Sequence, residues 1–323
     1  MLFALLLDKV LGEPKRFHPL VGFGCFANRL EAKVNTQRFT AKQASFAKTR
    51  IKGALCWLIL VLPMPVFLWV LNYSAMQYTL NNDALLLTVL MCLLNAFVLY
   101  LTIGMQSLKE HAMQIYHPLA QGDITNARHF TSYMVSRDTA QLTPNDMSRA
   151  AVESVLENGH DGVIASLFYF AIGGAPLAVL HRFANTLDAM WGYKAPRFLH
   201  FGWWAARADD HLGWLSAYCT SLLYVLAAPA PIRFTHLARA WQQAKRYKSK
   251  NGGRCMATGA GAIGFTIGGV SHYQGNAVHS PILGNGELVT LADIPRSINL
   301  VQRSAWLFSC LVLLCGVSVV IIF

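Results

Sequence analysis

Residues 84–104 read ALLLTVLMCLLNAFVLYLTIG, a run without a single charged side chain. At about 1.5 Å of rise per residue, a helix of this length covers the roughly 30 Å of bilayer hydrocarbon. Apolar residues surround it on every side, so it reads as a membrane span and not as the core helix of a water-soluble domain. Working outward, three more uncharged blocks have comparable length: 54–71, 212–232 and 304–323. A fifth, 163–180, is equally uncharged but carries Gly173, Gly174 and Pro176. It either crosses or re-enters as a broken helix packed inside protein, where irregular backbone is tolerated. The expectation is a single all-α domain over 1–323: a polytopic integral membrane protein with about four or five transmembrane helices plus cytoplasmic and re-entrant helical segments.

Composition agrees with that reading. Hydrophobic residues make up 54% of the 323 and charged residues only 13%, against about 25% in soluble domains. An ordinary cytosolic protein, a disordered chain and a collagen-like chain are excluded. Of the seven cysteines, Cys56, Cys92, Cys219, Cys310 and Cys315 fall in apolar blocks and no C-x-x-C pair occurs, so neither a disulfide framework nor a structural zinc is expected. The net charge of +11 fits cytoplasmic loops and anionic headgroups; no basic-aromatic pattern suggests a nucleic-acid partner. Segment 16–52 has eight Lys/Arg, 72–83 none and 233–303 nine. The positive-inside bias puts the two basic loops in the cytoplasm with 105–161, and 72–83 outside. If 163–180 crosses, 182–210 lies outside as well.

Polar residues gather at the edges of the apolar blocks in four clusters: Asp8, Gly12, Glu13, Pro14, His18 and Pro19; Ser136 to Thr139; Glu153, Glu157, Asn158 and Asp161; and Asn185 to Asp188 with Arg207, Asp209 and Asp210. Charge at membrane depth is costly, which makes buried members of these clusters functional candidates. Thr143-Pro144-Asn145-Asp146 is a helix-start signal, and the helix it opens places Glu153, Glu157 and Asp161 at i, i+4 and i+8, on one face. Carboxylates so spaced suit Mg²⁺ together with substrate phosphates, and arginine adds bidentate phosphate recognition. Gly259-Ala-Gly261-Ala-Ile-Gly264 satisfies G-x-G-x-x-G, but no strand precedes it; close packing of small-residue helix faces explains 258–270 better than dinucleotide binding. No Walker A lysine or G-x-S-x-G elbow is present.

In this order and spacing the clusters resemble the CobD/CbiB family of integral membrane cobalamin-biosynthesis proteins, over nearly the whole chain. The N-terminal Asp8, Gly12, Pro14, His18 and Pro19 match, as do VSRDTAQL at 135–142, VESVLENGHDGVIASLFY at 152–169, GGAPLAVLHRFANTLDAMWGYK at 173–194 and FGWWAARADD at 201–210. The resemblance implies a multi-pass protein of the bacterial inner membrane. It further implies ATP-dependent amide formation between adenosylcobyric acid, a corrinoid, and aminopropanol or its phosphate, with ATP and Mg²⁺ required and self-association left open. Residues carried over are Glu153, Glu157 and Asp161 for metal; Arg137, Asp138, Thr139, Asn158, Asn185, Thr186, Arg207 and His18 for substrate; and Asp188, Asp209 and Asp210 for catalysis. Departures occur where the family has Pro at 250, Glu at 256 and Arg at 218: here stand Lys250, Met256 and Tyr218. The replaced Arg and Glu point to an altered second half of the substrate site. The alternative is a non-catalytic, AmpE-like signalling membrane protein on the same scaffold.

Overall fold

The computed structural model describes residues 1–14, 18–35, 46–135, 137–193, 195–229, 234–273 and 276–322. Ser136, the parts of loop 16–52 at 16–17 and 36–45, and 230–232 of the expected fourth span lie outside the described residues. The chain forms two compact units: Met1, Phe3–Ile103 and Ala165–Gly213 in the first, and Leu2, Gly104–Ile164 and Trp214–Phe323 in the second.

The first unit contains α1 (Leu2–Leu11), α2 (Pro19–Val34), α3 (Phe46–Val61), α4 (Pro63–Asn82), α5 (Leu85–Thr102), α9 (Ala165–Trp191) and the start of α10 (Trp203–Leu226). His18 opens α2: its Nδ1 accepts the Leu20 N–H at 3.2 Å and Pro19 occupies the first turn, where its missing N–H costs nothing. Pro63 marks the step from α3 to α4. Apolar side chains on α4 and α5 point outward: Phe67, Trp69, Val70, Leu86, Leu90 and Leu93 are all exposed. In water such a surface would aggregate; in a bilayer it is the expected face. Trp57, Leu60, Val61, Leu187, Trp191 and Phe201 pack as the buried core of this unit.

Four helical stretches are long and apolar enough to cross a membrane: Phe46–Asn82, Leu85–Ala120, Pro144–Trp191 and Asp293–Gly316. They contain the expected spans at 54–71 and 163–180, all of 84–104 but Ala84, and most of 304–323; the protein is multi-pass. Block 212–232 is not among them. It falls on α10 and the residues after it, and α10 buries Ser216, Thr220, Ser221 and Tyr224. The opposite side of α10 is apolar and outward, with Trp214, Leu215, Leu222 and Leu226 exposed.

Inside α9 the helical course breaks at Gly173 (φ −147°, ψ 28°) and Gly174 (φ 65°, ψ −158°). The φ of Gly174 lies where only glycine rests without strain. On the near side of the break, Ser166 Oγ donates to the Thr102 carbonyl at the end of α5. At the break, a Cβ on Gly174 would lie 3.8 Å from Asn95 Oδ1, and Asn95 Nδ2 donates to Asn72 Oδ1 at 2.6 Å. On the far side, Ala175 and Val179 pack on Leu68, and Leu187 and Trp191 on Trp57 and Leu60. The chain thus runs up α5 from Thr102 toward Asn95, reverses, and returns down α4 and α3 from Asn72 toward Trp57. Segment 163–180 therefore folds back on itself at Gly173-Gly174.

The second unit holds α6 (Met105–Ala120), α7 (Ile124–Met134), α8 (Pro144–Gly159), a π-helical turn (His160–Ile164), the rest of α10, α11 (Phe234–Ala244), α12 (Lys250–Ile263), three strands and α13 (Asp293–Ile322). Thr143 and Asp146 close a reciprocal capping box at the start of α8, as the 143–146 signal predicts. The strands were not expected. β1 (Phe265–Tyr273) pairs antiparallel with β2 (Asn276–Gly284) and parallel with β3 (Glu287–Leu288), giving the order β2-β1-β3. The small-residue reading of 258–270 is therefore right only as far as Ile263. Gly264, at φ 97°, ends α12, and the β-branched and aromatic residues that follow become strand. Gly259 and Gly261 sit on a helix that precedes a strand, the reverse of the dinucleotide-binding order.

Candidate functional site

In the second unit, α8, the loop before it, the 247–248 turn and α12 enclose a polar pocket of about 140 Å³ lined by Arg137, Glu153, Ser154, Glu157, Asn158, Tyr247, Lys248 and Met256, with Met134 and Val135. Arg137 Nη2 donates to Glu153 Oε2 at 2.5 Å and both side chains are nearly buried. Arg137 Nη1 donates to Ser271 Oγ at 3.2 Å, and the other Glu153 oxygen accepts the Gly268 N–H at 2.9 Å. Gly268 has φ 93° at the irregularity in β1, so the strand bulge is what aims its N–H at the carboxylate. Asn158 Nδ2 bonds back to Ser154 O and Oγ, at 2.9 and 3.0 Å. Glu157 has Asp161 and Glu153 as like-charged neighbours, and Lys248 and Arg137 as opposite ones.

The expected metal triad takes a different form. Glu153 is engaged by Arg137 and Gly268, and among the described residues no group of three or more His, Cys, Asp or Glu side chains converges as a metal site. The i, i+4, i+8 spacing presupposes one continuous α-helix, whereas α8 stops at Gly159 and Asp161 stands on the π-helical turn, which shifts its direction. Asp161 Oδ1 lies 2.5 Å from His160 Nδ1, and His160 Nε2 lies 2.9 Å from Ser216 Oγ. This has the outline of a nucleophile, base and acid, but His160 and Ser216 are wholly buried. His160 Nδ1 makes no hydrogen bond, and the buried Ser216 hydroxyl presents no nucleophile to a substrate.

Of the remaining expected residues, Asp138 and Thr139 lie in the second unit and the others in the first. Asn185 Nδ2 donates to Asp209 Oδ1 at 3.3 Å, and Arg182 Nη1 to Asn185 Oδ1 at 3.4 Å. Thr186 Oγ1 bonds back to the Arg182 carbonyl on its own helix. His18 Nε2 is 3.6 Å from Glu13 Oε1. Burial holds the His18 imidazole below its ordinary value; Glu13 opposes that shift and Arg182 reinforces it. The Tyr169 hydroxyl donates to the Leu212 carbonyl, and its ring stacks on His181 at 5.1 Å. Asp188 sits at the end of α9, where the Gly192 N–H donates to its carbonyl. Arg207 and Asp210 are exposed, Arg207 lying over the Trp203 ring at 5.8 Å. Asp138 is also exposed and Thr139 half-buried. Asp209 and Asp210 thus part company, because adjacent helical residues point about 100° apart.

Residues the sequence reading passed over are Arg182, Tyr247, Lys248 and Arg254. Arg182 was accessible from spacing, three residues before Asn185 on one helix. The other three come from a turn and a helix start whose neighbours are distant in sequence. Arg254 also changes the meaning of a departure: its guanidinium lies 3.7 Å from the centroid of the Tyr218 ring, so a cation is present beside the position where the family arginine is missing.

A family model described as CobD/Cbib protein matches residues 1–301. A curated relative from Chromobacterium violaceum, called Cobalamin biosynthesis protein CobD, is 42% identical over 322 residues, covering 98% of this chain and 96% of its own. Relatives with the same name from Stutzerimonas stutzeri and Halalkalibacterium halodurans are 42% and 36% identical, each over 97% of this chain and over 95% and 94% of their own. No solved structure matches. With the match running from Met1 to within α13 and covering both units, the chain belongs to the CobD/CbiB family.

Proposed function

We propose that this protein works in cobalamin biosynthesis as an ATP-dependent ligase, joining a propionate carboxylate of adenosylcobyric acid to the amine of aminopropanol or its O-phosphate. The observation that carries the reading is the pocket where Arg137, Glu153, Glu157, Asn158 and Lys248 meet. At about 140 Å³ it is far too small for a corrinoid. It has room for a phosphoryl group or a short amino alcohol, both of which need charged, hydrogen-bonding walls.

Amide formation needs the carboxylate activated by phosphoryl transfer, the amine held against the activated carbon, and a base for the proton the nitrogen loses. Arg137, anchored by Glu153, and Lys248 steady phosphoryl oxygens. Asn158 offers its amide to substrate. Glu157 and Asp161, like charges in one neighbourhood, are the pair that would hold Mg²⁺, which is usually bound by one or two carboxylates plus substrate phosphates; the ion would supply charge neutralisation of the phosphates. Taken by itself, the first unit offers Asp209, which accepts the Asn185 amide, and Asp188 as carboxylates able to take a proton. Arg182, Asn185 and His18 are suited to the amide and carboxylate groups of a substrate. The basic loops 16–52 and 233–303 face the cytoplasm, where ATP is.

Complementation tests this reading. A strain lacking the amidating step and supplied with cobyric acid should regain cobalamin-dependent growth with the wild-type gene and lose it with Glu157→Gln or Asp188→Asn. A membrane-inserted wild-type protein that gives no growth would remove the ligase assignment in favour of the signalling alternative.

A further inference from the structure

Arg254 lies in the second turn of α12, only 7% exposed, with neither Nε nor Nη1 hydrogen-bonded. Its guanidinium rests on the Tyr218 ring at 3.7 Å. That ring is held edge-on by Trp214 at 5.6 Å and Trp241 at 4.7 Å. The aromatic wall attracts the charge and fixes the plane of the fork, yet it accepts none of the in-plane N–H donors. A buried cation with open donors is costly unless an anion meets it. The other face of the same helix start meets the candidate site, where a Cβ on Gly252 would lie 2.3 Å from Glu157 Oε1 and Met256 lines the pocket; Arg254 itself points away from that pocket, toward Tyr218. The N-terminus of this fourteen-residue helix adds positive potential.

We infer that Arg254, shelved on Tyr218 at the start of α12, is a receptor for phosphoryl oxygens of a substrate. The inference deepens the proposed function and rests on it for the source of the phosphoryl group, either ATP or a phosphorylated amino alcohol. A dianion suits the combination of guanidinium and helix N-terminus better than a single carboxylate does. Tyr218 acts as a positioning residue: its ring, not its hydroxyl, sets the guanidinium plane.

The full-length protein, purified in nanodiscs, decides the matter by thermal unfolding and equilibrium binding with three separate probes: inorganic pyrophosphate, ATP and O-phosphorylated aminopropanol. Wild type should be stabilised by at least one of them. Arg254→Met should melt at or above the wild-type temperature without ligand, since it removes an unpaired buried charge, and should bind that probe about tenfold or more weakly. The probe whose affinity falls identifies the source. Tyr218→Phe should bind as wild type does. Wild-type affinity in Arg254→Met overturns the inference, as does unfolding of both Arg254→Met and Arg254→Gln without ligand, which would make the guanidinium a structural support. Pyrophosphate binding that needs Arg254, with no binding of ATP or the phosphorylated amine, keeps the site and removes the ligase reading. No binding of any probe by wild type removes the receptor.

Discussion

Arg137 and Glu153 show how one pair of side chains ties local structure to chemistry. The carboxylate takes one hydrogen bond from the guanidinium and one from a strand bulge, so neither partner can be lost alone without leaving a charge in a nearly dry place. Arg137→Met should therefore lower stability by about 3 kcal/mol, and Arg137→Met with Glu153→Gln should recover more than half of that, as measured by denaturant unfolding of the purified protein. At His18 the test is pH. The neutral ring caps α2, and its folded value is depressed by burial. The unfolded chain then binds the proton first. This contribution is complete above an unfolded value of about 6.5 and declines as the pH falls below it. Melting curves from pH 7.5 to 5.5, a range set about that value, should show a steeper loss for wild type than for His18→Asn, which caps without titrating. Equal slopes would discard the assignment.

Among the elements, those written in local signals were legible in advance. The Thr143 to Asp146 start of α8 was one, and the apolar runs behind α4 and α5 were others. Thr143→Ala should cost about 1 kcal/mol through loss of the capping box, read as a fall in melting temperature, with Thr143→Ser close to neutral. What stayed hidden depends on partners remote along the chain. The strand pair at 265–284 follows a glycine-rich helix whose composition continues into the strand, so composition alone gave no boundary. The turn of register after Gly159, which takes Asp161 off the face of Glu153, needs the π-helical geometry, and periodicity assumes it away. Of the candidate residues, Arg137, Glu157 and Asn158 in the second unit, and Asn185 and Asp209 in the first, were visible as charged or amide groups beside apolar blocks. Lys248 and Arg254 were not, because in sequence they belong to an ordinary basic loop.

Across the whole molecule, the largest distinction is between outward apolar side chains and inward polar ones. Leu90 is about half exposed on α5, yet Leu90→Arg, harmless on a soluble protein, should cost about 3 kcal/mol of insertion free energy and deplete the protein from the membrane fraction. Ser216 and Thr220 on α10 are wholly buried, while Leu215 and Leu222 on the same helix are exposed. The hairpin at Gly173-Gly174 has a consequence for the sides of the membrane. A segment that dips in and leaves by the same door does not alternate the sides, so polypeptide before and after it shares an aqueous phase. A reporter joined after Gly202 should accordingly report the compartment opposite to one placed at Asp83, and a reporter that finds both on one side would show that the segment crosses.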